Sequence, residues 1–361
     1  MTEARSKVRV AVVGATGYSG QELIRLLSAH PGVELTYIAG SQDAEQTLVE
    51  QFPYFHGTGE LKIQKFSADE CQEKADTVFV ALPSGASGEI ASSMWKRGKK
   101  VIDLSGDLRL PGDTYQTWYN KRPVEEEVIQ EAVYGLTEWH REELSSASLV
   151  ANPGCFATTV LLALLPLVHS NMLAPGIPVI VDVKSCVSGA GRNAVLGNQL
   201  GELAENFYPY RVGRHQHTPE IEQELNRQTP MDGLNGTANE SGKILLNTQL
   251  LPVVRGIYAN SYVSIRKDIS LEQIYQAYQT KYQNDAFIRV LPAGSVPQLK
   301  HVRGSNQCHI GLALSERTGV LQVFSVLDNL QKGAAGQAVQ NFNILHGFTE
   351  STALGQLPLY P

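Results

Sequence analysis

The sequence predicts an α/β protein: a doubly wound parallel sheet joined to a second, α+β domain whose sheet is largely antiparallel. Three observations predict it. In residues 1–152 short β-branched runs alternate with amphipathic helical stretches, the pattern of parallel strands joined by right-handed crossovers. A glycine-rich turn stands between the first strand and the first helix. From Pro178 onward strand-like runs follow one another with few helices between them, as in an α+β domain. The expected division is 1–152 with 330–361 as the first domain and 153–329 as the second.

Val8–Val13 reads as a buried strand, 20–30 as a helix, Val33–Ala39 as a second strand and 76–82 as a third. A helix over 87–98 and a fourth strand over 100–104 follow. The charged, Trp- and Tyr-containing stretch 115–143 has no clear period and receives no element. After Asn152-Pro153-Gly154 a strong helix runs from Cys155 to His169. Strand-like runs then cover 179–183, 244–254, 262–265, 308–314 and 320–326. The Gly-, Asn-, Asp- and Thr-rich stretch 229–242 reads as an exposed loop. A last helix over 332–345 comes late enough to return to the first domain.

The 361 residues suffice for two cores, and 42 % apolar with 18 % charged residues is a globular balance. A formal charge of −6 disfavours nucleic acid and anionic membranes as partners. The polar start Met1–Lys7 has no signal-peptide core, and the longest apolar run, 160–168, is too short to span a bilayer. Cys71, Cys155, Cys186 and Cys308 form no Cys-x-x-Cys pair. A structural zinc site or a disulfide framework is therefore not expected, and a reducing, cytoplasmic location is.

Gly14-Ala15-Thr16-Gly17-Tyr18-Ser19-Gly20 joins the first strand to the first helix. Its glycines permit a tight turn and close backbone approach, and the helix N-terminus offers N–H groups to a pyrophosphate. A dinucleotide is expected there. The second strand ends Ala39-Gly40-Ser41 with no acid before Asp43. A ribose-binding carboxylate is thus missing, which leans towards NADP with Ser41 at that edge. Leu82-Pro83-Ser84-Gly85 closes the third strand with small residues, so Pro83 and Ser84 are candidate cofactor neighbours, or simply a strand–helix turn. Asp103-Leu104-Ser105-Gly106-Asp107-Leu108-Arg109 leaves the fourth strand at its carboxyl end. Arg109 is a candidate phosphate clamp, against a plain salt bridge with Asp107 or Asp113.

Cys155 follows Pro153-Gly154 at the start of the apolar helix. A thiol of pKa about 8.5 is only a few per cent ionised at neutral pH, and a helix N-terminus favours the thiolate. A nucleophile and a buried core cysteine are both compatible with that position. Arg211-Val212-Gly213-Arg214-His215-Gln216-His217-Thr218-Pro219-Glu220 then packs two Arg and two His before a helix, with Thr218 as expected N-cap and Pro219 at N1. Either imidazole suits acid/base work; a metal pair lacks a third ligand cluster. Ser188-Gly189-Ala190-Gly191-Arg192 is a second glycine turn, able to hold substrate or the nicotinamide end of the cofactor.

Taken in order, the motifs 14–23, 103–109, 152–158, 188–192, 215–221 and 328–338 resemble those of the N-acetyl-γ-glutamyl-phosphate reductase family over essentially the whole chain. The resemblance implies NADPH-dependent reduction of an acyl phosphate to a semialdehyde with release of inorganic phosphate, a step of arginine biosynthesis. It implies a Rossmann domain completed by the C-terminal helix, and a middle domain for substrate and for assembly as a homodimer or homotetramer. It implies Cys155 as nucleophile and His217 as acid/base, with Arg211 and His215 near the substrate. Cofactor contacts come, on the same ground, from the 14–20 turn and from Asn329. Two positions depart from the family pattern: Thr159 stands where a smaller Gly or Ala is usual, and the 40–43 segment lacks the usual Arg. The competing readings are a semialdehyde dehydrogenase for aspartyl or aminoadipyl phosphate, and a non-catalytic NADP-sensing protein. A short-chain reductase is excluded, since no Tyr-x-x-x-Lys motif occurs.

Overall fold

The computed structural model describes residues 6–40, 46–58, 61–229 and 242–360. The chain divides into two compact units, Met1–Gly154 with Ala334–Gln356, and Cys155–Gly333 with Leu357–Pro361.

The first unit holds β1 (Val8–Val13), β2 (Val33–Ala39), β3 (Ile63–Gln64), β4 (Thr77–Val80), β5 (Lys100–Asp103), β6 (Val133–Tyr134) and β7 (Leu149–Ala151). They form one sheet in the order β3-β2-β1-β4-β5-β7-β6, with every pairing parallel. Val10 to Val13 and Val78 to Val80 are buried, which is why these strands read as unbroken apolar runs and not as alternation. The chain turns outward in opposite directions from β1 and β4, and such a switch opens a crevice at the strands' carboxyl ends. The first helix, Tyr18–Ser28, buries Leu23, Ile24, Leu26 and Leu27 and begins two residues before position 20, with Gly17 as its N-cap.

Helices Gly112–Tyr119, Glu126–Glu131 and Thr137–Ser146 occupy the stretch that the sequence left without elements. The first two bury one residue each, Tyr115 and Val128, so no apolar stripe announces them. The helix Gly336–Leu345 also belongs to this unit. Its Phe342 ring lies 5.7 Å from Phe79 and 5.5 Å from His30, and its Asn343 amide oxygen is 2.8 Å from His30 Nε2. The continuous helix expected over 332–345 is interrupted: Gln331–Ala335 is a π-helical turn.

The second unit holds β8 (Val179–Ser185), β9 (Tyr208–Tyr210), β10 (Ile244–Leu250), β11 (Ile257–Ser264), β12 (Ile288–Val290), β13 (Cys308–Ser315) and β14 (Val320–Leu327). Their order is β12-β13-β14-β11-β8-β10-β9. Only β8–β10 and β12–β13 pair in parallel; the other neighbours are antiparallel. The run expected as one strand over 244–254 stops at Leu250, where Leu251 N turns to Ser185 O at 3.0 Å. The loop expected over 229–242 falls mostly on 230–241, outside the described residues.

The helix Cys155–His169 is buried from Phe156 to Val168. Pro166 has no N–H for the Leu162 carbonyl one turn back. Tyr282 of the helix Leu271–Tyr282 donates its hydroxyl to that oxygen at 2.7 Å, and Tyr278 donates to Ala163 O. Ser325 of β14 donates to Thr159 O at 2.9 Å. On β10, β8 and β11, Leu245, Ile180 and Tyr262 stand side by side in register and are 54 %, 44 % and 37 % exposed. Among the described residues no helix is long and apolar enough to cross a membrane.

Candidate active site

In the first unit the glycine turn is shaped by three different needs. Gly14 has φ +96°, and a Cβ there would lie 2.4 Å from Ala81 O. A Cβ on Gly20 would lie 2.1 Å from Gly14 O, so only glycine lets the helix start against the strand. Gly17 is different: its nearest neighbour, Gly14 O, is 3.5 Å from a built Cβ. Tight turn, close approach and helix–strand contact are the three roles of a dinucleotide turn. Ala15 is fully buried, Thr16 packs on Gly40, and Tyr18 and Ser19 begin the helix. The turn therefore fits a pyrophosphate. Ser41, with Asp43 and Glu45, lies outside the described residues.

Pro83 and Ser84 follow β4, whose end lies against Gly14. Asp107 holds this loop: its carboxylate accepts from Gly85 N at 2.8 Å, Gly88 N at 2.8 Å and the Tyr115 hydroxyl at 2.7 Å. Ser84 Oγ accepts from Gly106 N at 3.0 Å. Asp103, fully buried beneath, accepts from Ser87 and Ser105, and burial pushes its carboxyl up to about 6. Arg109, the candidate phosphate clamp, braces backbone here. Its guanidinium is 6 % exposed and donates to Asn152 O and Leu104 O, both at 2.8 Å. With Asn152 N bonded to Asp103 O at 2.8 Å, Arg109 fixes the turn that leads into Cys155.

In the second unit Cys155 is the first residue of its fifteen-residue helix and is half-buried, whereas Cys71, Cys186 and Cys308 are buried. None of the four is joined in a disulfide. Thr159 donates its hydroxyl to the Cys155 carbonyl at 2.8 Å, which ties down the first turn. The Phe156 ring meets the His215 ring at 4.8 Å and the His217 ring at 5.7 Å, and the two imidazoles are 4.9 Å apart.

The two histidines differ. His217 N donates to His215 Nδ1 at 3.2 Å, and burial, with His217 and Arg211 nearby, pushes His215 down to about 2. His215 is thus neutral, with its proton on Nε2. His217, not Thr218, occupies the N-cap of the helix Thr218–Gln228. Thr218 N bonds to His215 O at 2.9 Å, so the helical path begins one residue before the threonine. Arg211 has φ +49°, an uncommon conformation for a side-chain-bearing residue, and its exposed guanidinium donates to Gln216.

Ser188 and Gly189 lie in the turn Val187–Ala190 after β8. Asn329, expected beside the cofactor, bridges two loops: its Nδ2 donates to Ser188 Oγ at 3.0 Å and its Oδ1 accepts from Gly256 N at 2.9 Å. Sequence reasoning passed over Tyr210. Its ring lies 6.0 Å from His215, and burial pushes its phenol up, with Ser185, Cys155 and Arg211 as electrostatic neighbours. Among the described residues no group of three His, Cys, Asp or Glu side chains is gathered to hold a metal.

The family model "Semialdehyde dehydrogenase, NAD binding domain" matches residues 9–147, and "Semialdehyde dehydrogenase, dimerisation domain" matches 155–329. The N-acetyl-γ-glutamyl-phosphate reductase of Brevibacillus brevis is 44 % identical over 355 residues, covering 98 % of this chain and 100 % of that one. This chain belongs to the N-acetyl-γ-glutamyl-phosphate reductase family. The Bacillus mycoides member is 42 % identical over 98 % of this chain and 100 % of its own. Beyond the reductase family the fold is shared with aspartate semialdehyde dehydrogenase II of Vibrio cholerae, at TM-score 0.70 and 18 % identity over 95 % of this chain and 99 % of that one. It is shared too with the Candida albicans aspartate semialdehyde dehydrogenase solved with NADP, at TM-score 0.66 and 19 % identity over 94 % and 98 %.

Proposed function

We propose that this chain reduces N-acetyl-γ-glutamyl phosphate to N-acetylglutamate semialdehyde with NADPH, releasing inorganic phosphate, as a step of arginine biosynthesis. The observation that carries the reading is a half-buried thiol on the first residue of a long helix, in an otherwise buried set of cysteines. The helix N-terminus favours the thiolate. That thiolate attacks the acyl carbon, the bond to the phosphate oxygen breaks with its electron pair, and a thioester on Cys155 remains. The 14–19 turn, with Pro83 and Ser84 beside it, would hold NADPH, which would supply the hydride that reduces the thioester. The carbon–sulfur bond then breaks, returning the thiolate and freeing the aldehyde.

His217 is the acid/base in this scheme: it holds the thiol proton at the start and supports the oxygen that gains negative charge. His215, neutral and accepting from His217 N, orients the loop and does not trade protons. Arg211 is the cation offered to the substrate, and Asn329 holds the turn that carries Ser188 and Gly189. A cytoplasmic location suits a nucleophilic thiol that must stay reduced. The dimerisation-domain match and the exposed Leu245, Ile180 and Tyr262 stripe support assembly as a homodimer or homotetramer. Light scattering that returns the mass of one chain would remove that part.

The test is phosphate-dependent NADP reduction with N-acetylglutamate semialdehyde, run beside aspartate semialdehyde. Turnover at least about 100-fold faster with the acetylated substrate is expected, the scale set by pocket groups that pair or fail to pair. Preference for the aspartyl compound would move the chain to the neighbouring activity, and NADP binding with no turnover would make it a sensor.

A further inference from the structure

Among the motifs in 328–338 one glycine stands apart. Gly333 lies in the π turn Gln331–Ala335 and does not have a positive φ, so its backbone asks for no glycine. In a helical position glycine is less favourable than alanine. Its surroundings supply the reason. A Cβ on Gly333 would lie 2.9 Å from Cys155 Cβ and 3.2 Å from Leu327 Cδ1. The Gly333 backbone is a wall against the reactive residue.

That wall is held from behind. Asp328, fully buried, accepts from Leu330 N at 2.9 Å, Gln331 N at 3.1 Å and Gly304 N at 2.7 Å, and pairs with Arg255 at 3.0 Å. Gly333 N itself bonds to Asp328 O at 3.0 Å. Next in the chain Lys332 is fully buried, its ammonium 5.9 Å from the centre of the Phe287 ring. A turn pinned at so many points does not retreat. A methyl group added at 333 must therefore displace Cys155. Single-turn π segments recur where a helix is bent to serve a site.

We propose that Gly333 is a positioning residue for Cys155: the Asp328-anchored π turn holds the thiol in its place at the helix N-terminus, and glycine is required because the cysteine lies against it. The inference rests on the nucleophilic role of Cys155 argued above.

The test is the pH dependence of Cys155 alkylation by iodoacetamide, read beside kcat and the KM for NADPH in wild type and Gly333→Ala. In the variant kcat should fall about 10- to 100-fold, the cost of a sub-ångström to ångström misplacement, with KM for NADPH unchanged. The alkylation profile should move by roughly one pH unit, since the thiol leaves the helix terminus that favours its ionised form. Wild-type kcat and an unmoved profile in a folded Gly333→Ala protein would overturn the proposal. A wild-type thiol no more reactive than free cysteine would overturn the nucleophile and the proposal together. Should Gly333→Ala fail to fold, Cys155→Gly/Gly333→Ala decides: removing the opposing Cβ should restore folding, and a double variant as unstable as the single one would refute the contact.

Discussion

The glycine turn of the first unit and the thiol site of the second are made from different material. At residues 14–20 the working surface is backbone: Gly14 and Gly20 admit no side chain, and Gly17 leaves its approach open. Around Cys155 the surface is side chain, with Phe156 against both His215 and His217, and Tyr210 beyond. A dinucleotide phosphate needs N–H groups and room, which every residue's main chain provides once Cβ atoms are absent. Acyl transfer needs a particular sulfur and a particular imidazole, which only side chains provide. The two regions should therefore fail in opposite ways: the first when atoms are added, the second when they are removed. Gly333 crosses that division, since it is a glycine that serves the side-chain site.

Removing atoms from the second region gives the largest effect. Cys155→Ala is expected to abolish turnover, a loss of at least about 10⁴-fold, while NADP binding followed by fluorescence stays at the wild-type level; appreciable residual turnover would argue against a covalent route. Next comes His217→Asn, for which kcat should fall roughly 10²- to 10⁴-fold with nucleotide affinity unchanged. If His215→Asn instead costs as much as His217→Asn, the division of labour between the two imidazoles is wrong.

Adding an atom to the first region should act on a different parameter. Gly14→Ala places a methyl 2.4 Å from Ala81 O at φ +96°. It should weaken NADP binding about 100-fold, the loss attached to a misplacement of this size, and leave the iodoacetamide reactivity of Cys155 as it was. Equal effects on both readouts would dissolve the contrast.

The smallest effect concerns the support under the first region. Burial raises the Asp103 carboxyl to about 6 from an ordinary 3.8, so the folded protein binds that proton more tightly than the unfolded chain does. Its contribution to stability is complete below pH 3.8 and is lost as pH rises through 6, about 3 kcal/mol in all. Urea unfolding from pH 4 to 7 should show this fall in wild type and not in Asp103→Asn. A parallel decline in both proteins would assign the proton elsewhere.

Much of this was legible in the chain because it is local. The strand, glycine turn and helix at 8–28 announce themselves by period and by glycine spacing, and so does the apolar helix behind Pro153-Gly154. What stayed hidden depends on distant partners. Helices such as Glu126–Glu131 carry one buried residue and leave no stripe. Arg109 reads as a phosphate clamp or a salt-bridge partner, and its bonds to Asn152 O and Leu104 O come from backbone that no local pattern announces. The cap of the Thr218–Gln228 helix moves to His217 because Thr218 N bonds to His215 O. Gly333 lies 178 positions from Cys155 in sequence (333 − 155), and only folding brings the two together.

The central claim is that the acyl group passes through the sulfur of Cys155. It is tested most directly by mixing the protein with N-acetyl-γ-glutamyl phosphate in the absence of NADPH, quenching in acid and weighing the peptides. An N-acetylglutamyl thioester confined to the peptide that carries Cys155, and discharged as semialdehyde when NADPH is added before the quench, is the predicted result. A peptide of unmodified mass under conditions where turnover proceeds would contradict it.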